Sequence, residues 1–415
     1  MTSASGEEAA APALPVSGPP RPPILALVAI SALSPFAVNV IVPAMPELQR
    51  AFSTSYSHVQ LTLSLFLASV AISQIVIGPL SDRFGRRPVL LIGLSCFALA
   101  CVAAAFATST DTLIALRVIQ GATGCVGLVL GRAIVRDLFE RRRSASMIGY
   151  ITMGYALAPM VAPSIGGLLL EGFGWQAIFW FMAGFGLTCI AVVWRFIAET
   201  NLRPTPRISF GTLFADYRRL VRDRDFVLFT LTASFGSGAF FAFLGGAPYV
   251  SEHILGLSPI RYGMWFGLIA HGYSTGNFLS GRFAERIGVT RMILAGSILA
   301  VVAAVIPPAL FALGFGSAAA LFVPMMLTGI SNGIVLPNAI AGAISVRPEI
   351  AGAAAGLSGA VQMGCGAAVS ALAGLALAGS DTPFPLFAVG ATTAAIALGV
   401  AVLILIKARR SGAPG

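Results

Sequence analysis

Charge is what this 415-residue chain has least of. Asp, Glu, Lys and Arg make up 10% of it, against 57% hydrophobic residues. A soluble domain carries about a quarter charged residues, so so few cannot cover a water-facing surface. Lysine is nearly missing, with Lys407 its sole representative. No lysine is left in the body of the chain for a Walker-type phosphate loop, so nucleotide binding and hydrolysis are not expected. Histidine is scarce as well: His58, His253 and His271. With no paired carboxylates and no nucleophile–base spacing, an enzyme is not expected. The five cysteines (Cys96, Cys101, Cys125, Cys189 and Cys365) sit inside apolar runs, without CxxC spacing beside a His. They read as small packing residues, and neither a metal nor a cofactor is expected. The net charge of +10 is spread over short clusters between apolar runs, with no basic stripe, so nucleic acid is not an expected partner.

What is there is apolar sequence almost end to end. A membrane span takes roughly 20 mostly apolar residues. Such runs lie near 24–44, 59–80, 88–107, 112–135, 145–170 and 175–197, then near 225–250, 261–283, 290–313, 317–341, 350–378 and 383–407. They predict an all-α polytopic membrane protein of about twelve transmembrane helices, numbered 1 to 12 below, with the lipid bilayer as its partner. Residues 1–23 are rich in Pro, Ala and Ser and lack a basic region ahead of a short apolar core. A disordered cytoplasmic tail is expected there, and a second short tail at 408–415.

Arginine counts set the orientation. With the N-terminus inside, the inside loops hold Arg83, Arg86 and Arg87; Arg136 and Arg141 to Arg143; the Arg195–Arg224 set; Arg282, Arg286 and Arg291; Arg347; and the Lys407, Arg409, Arg410 tail. The outside loops hold Arg50 and Arg261. Both termini are therefore expected in the cytoplasm. Residues 198–224 form a polar linker between an N-terminal bundle, 24–197, and a C-terminal bundle, 225–407. Within it Phe210, Leu213, Phe214, Tyr217 and Leu220 share a helical face opposed by Arg218, Arg219 and Arg222, which predicts an amphipathic helix on the inner membrane surface. The bundles echo each other. Gly78-PLSDRFGRR after helix 2 aligns with Gly281-RFAERIGVTR after helix 8, setting Asp82 over Glu285, Arg83 over Arg286 and Gly85 over Gly288. Such duplication is common in secondary transporters and predicts two pseudo-symmetric six-helix bundles.

The 78–88 loop has a physical logic of its own. Gly78 and Gly85 allow a close approach and a tight turn. Asp82 can accept hydrogen bonds near helix ends. Arg86 and Arg87 can pair with acids on neighbouring helices, and Asp137 at the end of helix 4 is the candidate. A cluster of this kind, with Arg83, can latch one conformation and release in another; the plainer reading is that the arginines only mark topology.

This string resembles the loop signature of the major facilitator superfamily. Ile114-Ala-Leu-Arg117-Val-Ile-Gln120-Gly121 resembles that family's helix 4 motif, and Gly149, Gly154, Pro159, Pro163, Gly166 and Gly167 resemble its antiporter motif in helix 5. Val42-Pro43-Ala-Met-Pro46, Gln60-Leu-Thr-Leu-Ser64, Arg132-Ala-Ile-Val-Arg136-Asp137 and Gly174-Trp175-Gln-Ala-Ile-Phe179 are similar to its bicyclomycin/chloramphenicol-resistance branch, Bcr/CflA. The resemblance spans roughly 24–407. It implies a monomeric multidrug efflux transporter of the bacterial inner membrane, exchanging an amphipathic small-molecule substrate for protons. Asn39 stands where the branch usually has an acidic residue, and Ala158 and Ala162 replace glycines of the helix 5 motif.

Several residues are then singled out. Arg117, about five residues into helix 4, reads as a cavity charge that binds substrate or senses protonation, or as a snorkelling or carbonyl-bonded arginine. No carboxylate falls at mid-membrane depth. His271 in helix 8 is the mid-helix residue with a suitable unperturbed pKa, or else a merely hydrogen-bonded histidine; Asp82, Asp137 and Glu252 can titrate from helix ends. Proton coupling is thus expected away from helix 1. Asn39, Gln60, Ser64, Asn332, Asn338 and Gln362 are candidate polar cavity residues, each with an interhelical hydrogen bond as the alternative. Pro159, Pro163, Gly166 and Gly167 predict a bend that seals the cavity, or ordinary close packing. Helix 7 carries Phe226, Phe229, Phe235, Phe240, Phe241 and Phe243, many of which are expected to face lipid, and helix 8 adds Tyr262, Trp265, Phe266 and Tyr273. A second function stays open: an uncoupled facilitator or importer of a small metabolite, anionic ones included, motivated by Asn39 and Arg117.

Overall fold

The computed structural model describes residues 22–139, 141–201 and 210–410, without side-chain surroundings for 141–146, 148–150, 152–157, 160, 210, 212 and 410. The tail 1–21, the arginines Arg141 to Arg143 and Arg410, and the surroundings of Gly149 and Gly154 therefore lie outside the description. Among the described residues, ten helices are long and apolar enough to cross a membrane: Ile24–Ala51 (helix 1), Tyr56–Phe84 (2), Arg86–Ala105 (3), Thr110–Leu138 (4), Gln176–Phe196 (6), Arg224–Ile254 (7), Val289–Ala312 (9), Ala318–Ser345 (10), Pro348–Leu377 (11) and Phe384–Arg409 (12). Arg141–Phe173 (5), whose described apolar stretch is Val161–Phe173, and Pro259–Ile287 (8) pack against each other across the two halves.

The repeat seen in the loops extends through the architecture. Within the first half helix 1 packs on 4 and 5, 2 on 4, and 3 on 6. Within the second, 7 packs on 10 and 11, 8 on 10, and 9 on 12. Adding six to each number converts one set into the other. The contacts between halves obey the same rule, since helix 2 against 11 becomes helix 8 against 5. Local geometry repeats too. Helix 2 and helix 8 each have 29 residues, and each starts on a serine cap: Ser55 accepts from His58 N–H and Ser258 from Arg261 N–H. Each ends on a glycine with positive φ, Gly85 at 94° and Gly288 at 91°. That backbone conformation is strained for any residue with a side chain, which is why glycine recurs at both stops.

Helices 1, 4 and 7 are broken. Helix 1 ends its first segment at Asn39 and passes through a 3-10 turn, Val42–Ala44; helix 4 steps at Cys125; helix 7 steps at Ser237. Backbone groups freed at such breaks need partners inside the protein, because lipid offers none. The aromatic residues of helix 7 depart from the expectation. None of the six phenylalanines is exposed; Phe226, Phe241 and Phe243 are buried. Helix 7 is wedged among helices 10, 11 and 12, so little of its circumference is left for lipid.

The linker helix, Phe210–Arg222, packs on helices 7 and 11. Leu220 is fully buried with Phe226, Ala343 and Ala354, and Tyr217 lies against that cluster. Phe214, assigned to the same apolar face, is instead 72% exposed. One part of the stripe is satisfied by protein and the other is left outward. Ion pairs secure this end of the second half: Asp223 caps helix 7 and meets Arg347 at 3.2 Å, and Asp225 meets Lys407 at 2.6 Å.

Candidate functional site

A cavity of about 120 Å³ lies between the halves. Helix 1 lines it with Pro35, Val38 and Asn39, helix 7 with Ser237, Phe240, Phe241 and Leu244, helix 10 with Asn332, and helix 11 with Gln362. Asn39 and Ser237 are the residues at which helices 1 and 7 break. The cavity therefore lies beside a discontinuity in each half, and broken helices mark binding sites in transporters of this architecture. Helix 8 contributes Phe266, Ile269, Ala270 and Tyr273. Their spacing of three, four and seven residues is one helical face. Among the described lining residues there is no Asp, Glu, Lys, Arg or His.

Of the predicted cavity residues, Asn39, Asn332 and Gln362 are brought together there, with Pro159 of helix 5. The others are not. His271 is exposed on helix 8, rotated away from the lining stripe. Gln60 reaches across the halves, its amide donating to Ser370 Oγ at 2.6 Å and to the Ser370 carbonyl at 3.1 Å. Ser64 bonds back to the Gln60 carbonyl at 3.2 Å. Asn338 donates to Ser280 Oγ at 2.7 Å and to the Ile334 carbonyl at 2.8 Å, inside the second half.

Arg117 follows the second of its two readings, the carbonyl-bonded arginine, and not the cavity charge. It is completely buried and does not line the cavity. Its Nη2 donates to the Ala37 carbonyl at 3.1 Å, its Nε to the Thr62 carbonyl at 3.3 Å, and its Nη1 to Gln120 Oε1 at 2.9 Å. The guanidinium lies over the Phe66 ring at 4.1 Å. Ala37 sits in the last turn before the break in helix 1, where carbonyls lack helical partners. A cation carrying five fixed donors suits that position, and it ties helices 1, 2 and 4 together.

The basic loop forms a compact network. Arg86 pairs with Asp82 at 2.5 Å and with Asp137 at 3.1 Å, and Thr200 donates to the same Asp137 oxygen at 3.0 Å. Arg87 does not meet Asp137; its guanidinium donates to the Trp194 carbonyl at 2.9 Å. Arg83 is exposed, and Gly78 has open space where a side chain would be. The unforeseen member is Glu199. One carboxylate oxygen accepts from Arg86 N–H at 2.9 Å, Thr200 N–H and Asn201 N–H, and the other accepts from Arg87 N–H at 3.0 Å. It caps the start of helix 3 and welds it to the end of helix 6. These bonds all run within the N-terminal half, so in this conformation the cluster braces one bundle and does not bridge two. The matching residues Glu285 and Arg286 are exposed.

The opposite end of the molecule is where the halves are tied to each other. Arg50 of helix 1 pairs with Glu252 of helix 7. Tyr56 O–H donates to the Gly245 carbonyl at 2.9 Å, beside the Gln60–Ser370 bond. Helix 5 meets the start of helix 8 through Ser164 O–H to the Gly263 carbonyl at 3.0 Å and Ile260 N–H to Glu171 at 2.9 Å. Of the helix 5 motif, Gly167 serves this closure, while Gly166 packs on Val40 and Pro43 of helix 1 within the first half. A Cβ on Gly167 would lie 2.6 Å from the Pro259 carbonyl oxygen. Pro163 is buried at the same crossing, its carbonyl against Gly263.

Known proteins agree with this geometry. The Major Facilitator Superfamily model matches residues 27–270. The bicyclomycin resistance protein homolog of Haemophilus influenzae is 32% identical over 89% of this chain and 92% of its own length. The chloramphenicol resistance protein of Pseudomonas aeruginosa is 28% identical over 93% of this chain and 91% of its own. The crystal structure of a D-xylose–proton symporter superposes with a TM-score of 0.71 at 16% identity, over 91% of this chain and 95% of that one, a likeness of fold. Sequence, paired breaks and pseudo-symmetric halves thus converge: the chain is a transporter of the major facilitator superfamily, in its bicyclomycin/chloramphenicol-resistance branch.

Proposed function

We propose that the chain exports amphipathic small molecules, antibiotics among them, from the bacterial cytoplasm in exchange for protons. It acts in the inner membrane with both termini cytoplasmic, which the arginine asymmetry supports. The observation that carries the reading is the cavity between two half-molecules whose direct hydrogen bonds to each other, among the described residues and partners, gather at one end. With this orientation the tied end is periplasmic, and the structure is closed to the outside. Export then requires the Arg50–Glu252, Tyr56–Gly245, Gln60–Ser370 and Ser164–Gly263 contacts to part while the Arg-rich end closes. The halves are separately braced, the first by Arg117 and Glu199, so rocking them as units costs only the contacts between them.

The anionic-metabolite reading loses its motivation, because Arg117 is spent inside the first half and no cation lines the cavity among the described residues. Proton exchange cannot use Asn39, which has no titratable group. Glu252 takes that role here: it is the carboxylate whose ion pair joins the halves at the closing end. The test is uptake of radiolabelled chloramphenicol into everted vesicles, with and without an imposed interior-acid pH gradient. Gradient-driven accumulation is expected. Accumulation indifferent to the gradient would remove the antiport claim, and no transport of any drug in a panel would remove export.

A further inference from the structure

Two buried oxygens in the cavity have no partner. Asn39 is 3% exposed and Asn332 is 4% exposed, and the side-chain oxygen of each accepts no hydrogen bond. The orientation of Asn39 is fixed by its other end, because Nδ2 donates to the Pro35 carbonyl at 2.7 Å and a carbonyl cannot pair with Oδ1. An unmet buried acceptor is costly, and a ligand that donates to it removes that cost. Asn39 belongs to helix 1 and Asn332 to helix 10, so each half of the molecule offers one acceptor to the same space.

We infer that the cavity selects uncharged amphipathic molecules presenting two hydrogen-bond donors, one to Asn39 and one to Asn332. This rests on the export reading above and sharpens its substrate class. Phe240, Phe241, Phe266 and Tyr273 supply the apolar and aromatic walls for the rest of such a molecule. A charged ligand would shed its water with no counter-ion among the described lining residues. A ligand held by both asparagines touches both bundles at once, so its arrival and release are felt by the contacts that part during transport.

The test uses the purified full-length protein in detergent and three probes. Chloramphenicol is uncharged and carries two hydroxyl donors beside its amide N–H, its di-O-acetyl ester keeps the amide N–H alone, and tetraphenylphosphonium is a lipophilic cation without donors. Chloramphenicol is expected to bind, the diacetate about tenfold or more weakly, and tetraphenylphosphonium not to compete. Asn332→Leu should weaken chloramphenicol about tenfold while leaving the diacetate unchanged. Asn39→Asp should gain tetraphenylphosphonium binding as pH rises, since a carboxylate then supplies the missing counter-ion. Equal binding of chloramphenicol and its diacetate, tetraphenylphosphonium binding as tightly as chloramphenicol, or no chloramphenicol binding by protein that exports other drugs would each overturn the inference. Correct selectivity in a protein that exports nothing in vesicles would overturn the export reading and leave the selectivity standing.

Discussion

Glu199 occupies the space that a side chain on Gly85 would need: a Cβ there would lie 2.5 Å from Glu199 Oε2. The two residues form one joint. Gly85 takes the positive φ that stops helix 2, and Glu199 receives the N–H groups of Arg86 and Arg87 that begin helix 3. Glu199→Gln keeps the shape but has one oxygen for donors that now meet two. It should lower stability by about 1 kcal/mol, the usual worth of a helix cap. Gly85→Ala should cost more, because it adds backbone strain to the collision. Thermal unfolding of the detergent-purified variants measures both. A Gly85→Ala protein as stable as wild type would dissolve the joint.

Arg117 should behave as a structural residue. Arg117→Ala leaves the Ala37 and Thr62 carbonyls and Gln120 without their cationic partner, and should destabilise the first half by about 3 kcal/mol or more. Arg117→Lys should rescue little, since a single ammonium cannot reproduce the fork that meets three acceptors. Unfolding midpoints and residual drug affinity are read together. A stable Arg117→Ala protein that had lost drug binding would return Arg117 to the cavity.

Glu252 should make the closed end sensitive to protons. The pair with Arg50 is partly exposed, with Glu252 at 21% and Arg50 at 56% side-chain exposure, so its direct worth is about 1 kcal/mol or less. That suffices to shift a nearly balanced two-state equilibrium about fivefold. Glu252→Gln should favour opening of this end and abolish the pH dependence of drug transport. Thiol labelling of a Ser370→Cys reporter in a cysteine-free background, together with transport at several pH values, checks this. An unchanged pH profile would move the coupling carboxylate elsewhere.

How much of this was legible beforehand depends on the kind of signal each residue leaves. The pairing of Arg86 with Asp137 could be read because both are charged and both sit at helix ends. The alignment of Gly85 with Gly288 could be read because positive φ restricts the residue type. Glu199 escaped because it is more than a hundred residues from the N–H groups it caps, and backbone donors leave no mark in sequence. Arg117 was left with two readings, a cavity charge or a snorkelling or carbonyl-bonded arginine, because backbone acceptors leave no mark in sequence to decide between them. His271 illustrates a signal that was present and unused: Phe266, Ile269, Ala270 and Tyr273 define the lining face by their spacing, and a residue directly after Ala270 is turned about 100° from it. The six phenylalanines of helix 7 were misjudged because residue type does not reveal that three other helices surround it.

The central claim is that drug crosses only when the Gln60–Ser370 end opens. In a cysteine-free background carrying Gln60→Cys and Ser370→Cys, a short bis-methanethiosulfonate bridge should join the halves where Gln60 Nε2 and Ser370 Oγ now stand 2.6 Å apart. The account predicts that bridging stops gradient-driven drug transport and that reduction restores it in the same protein. Transport continuing at the unbridged rate, with the bridge verified as complete, would contradict it.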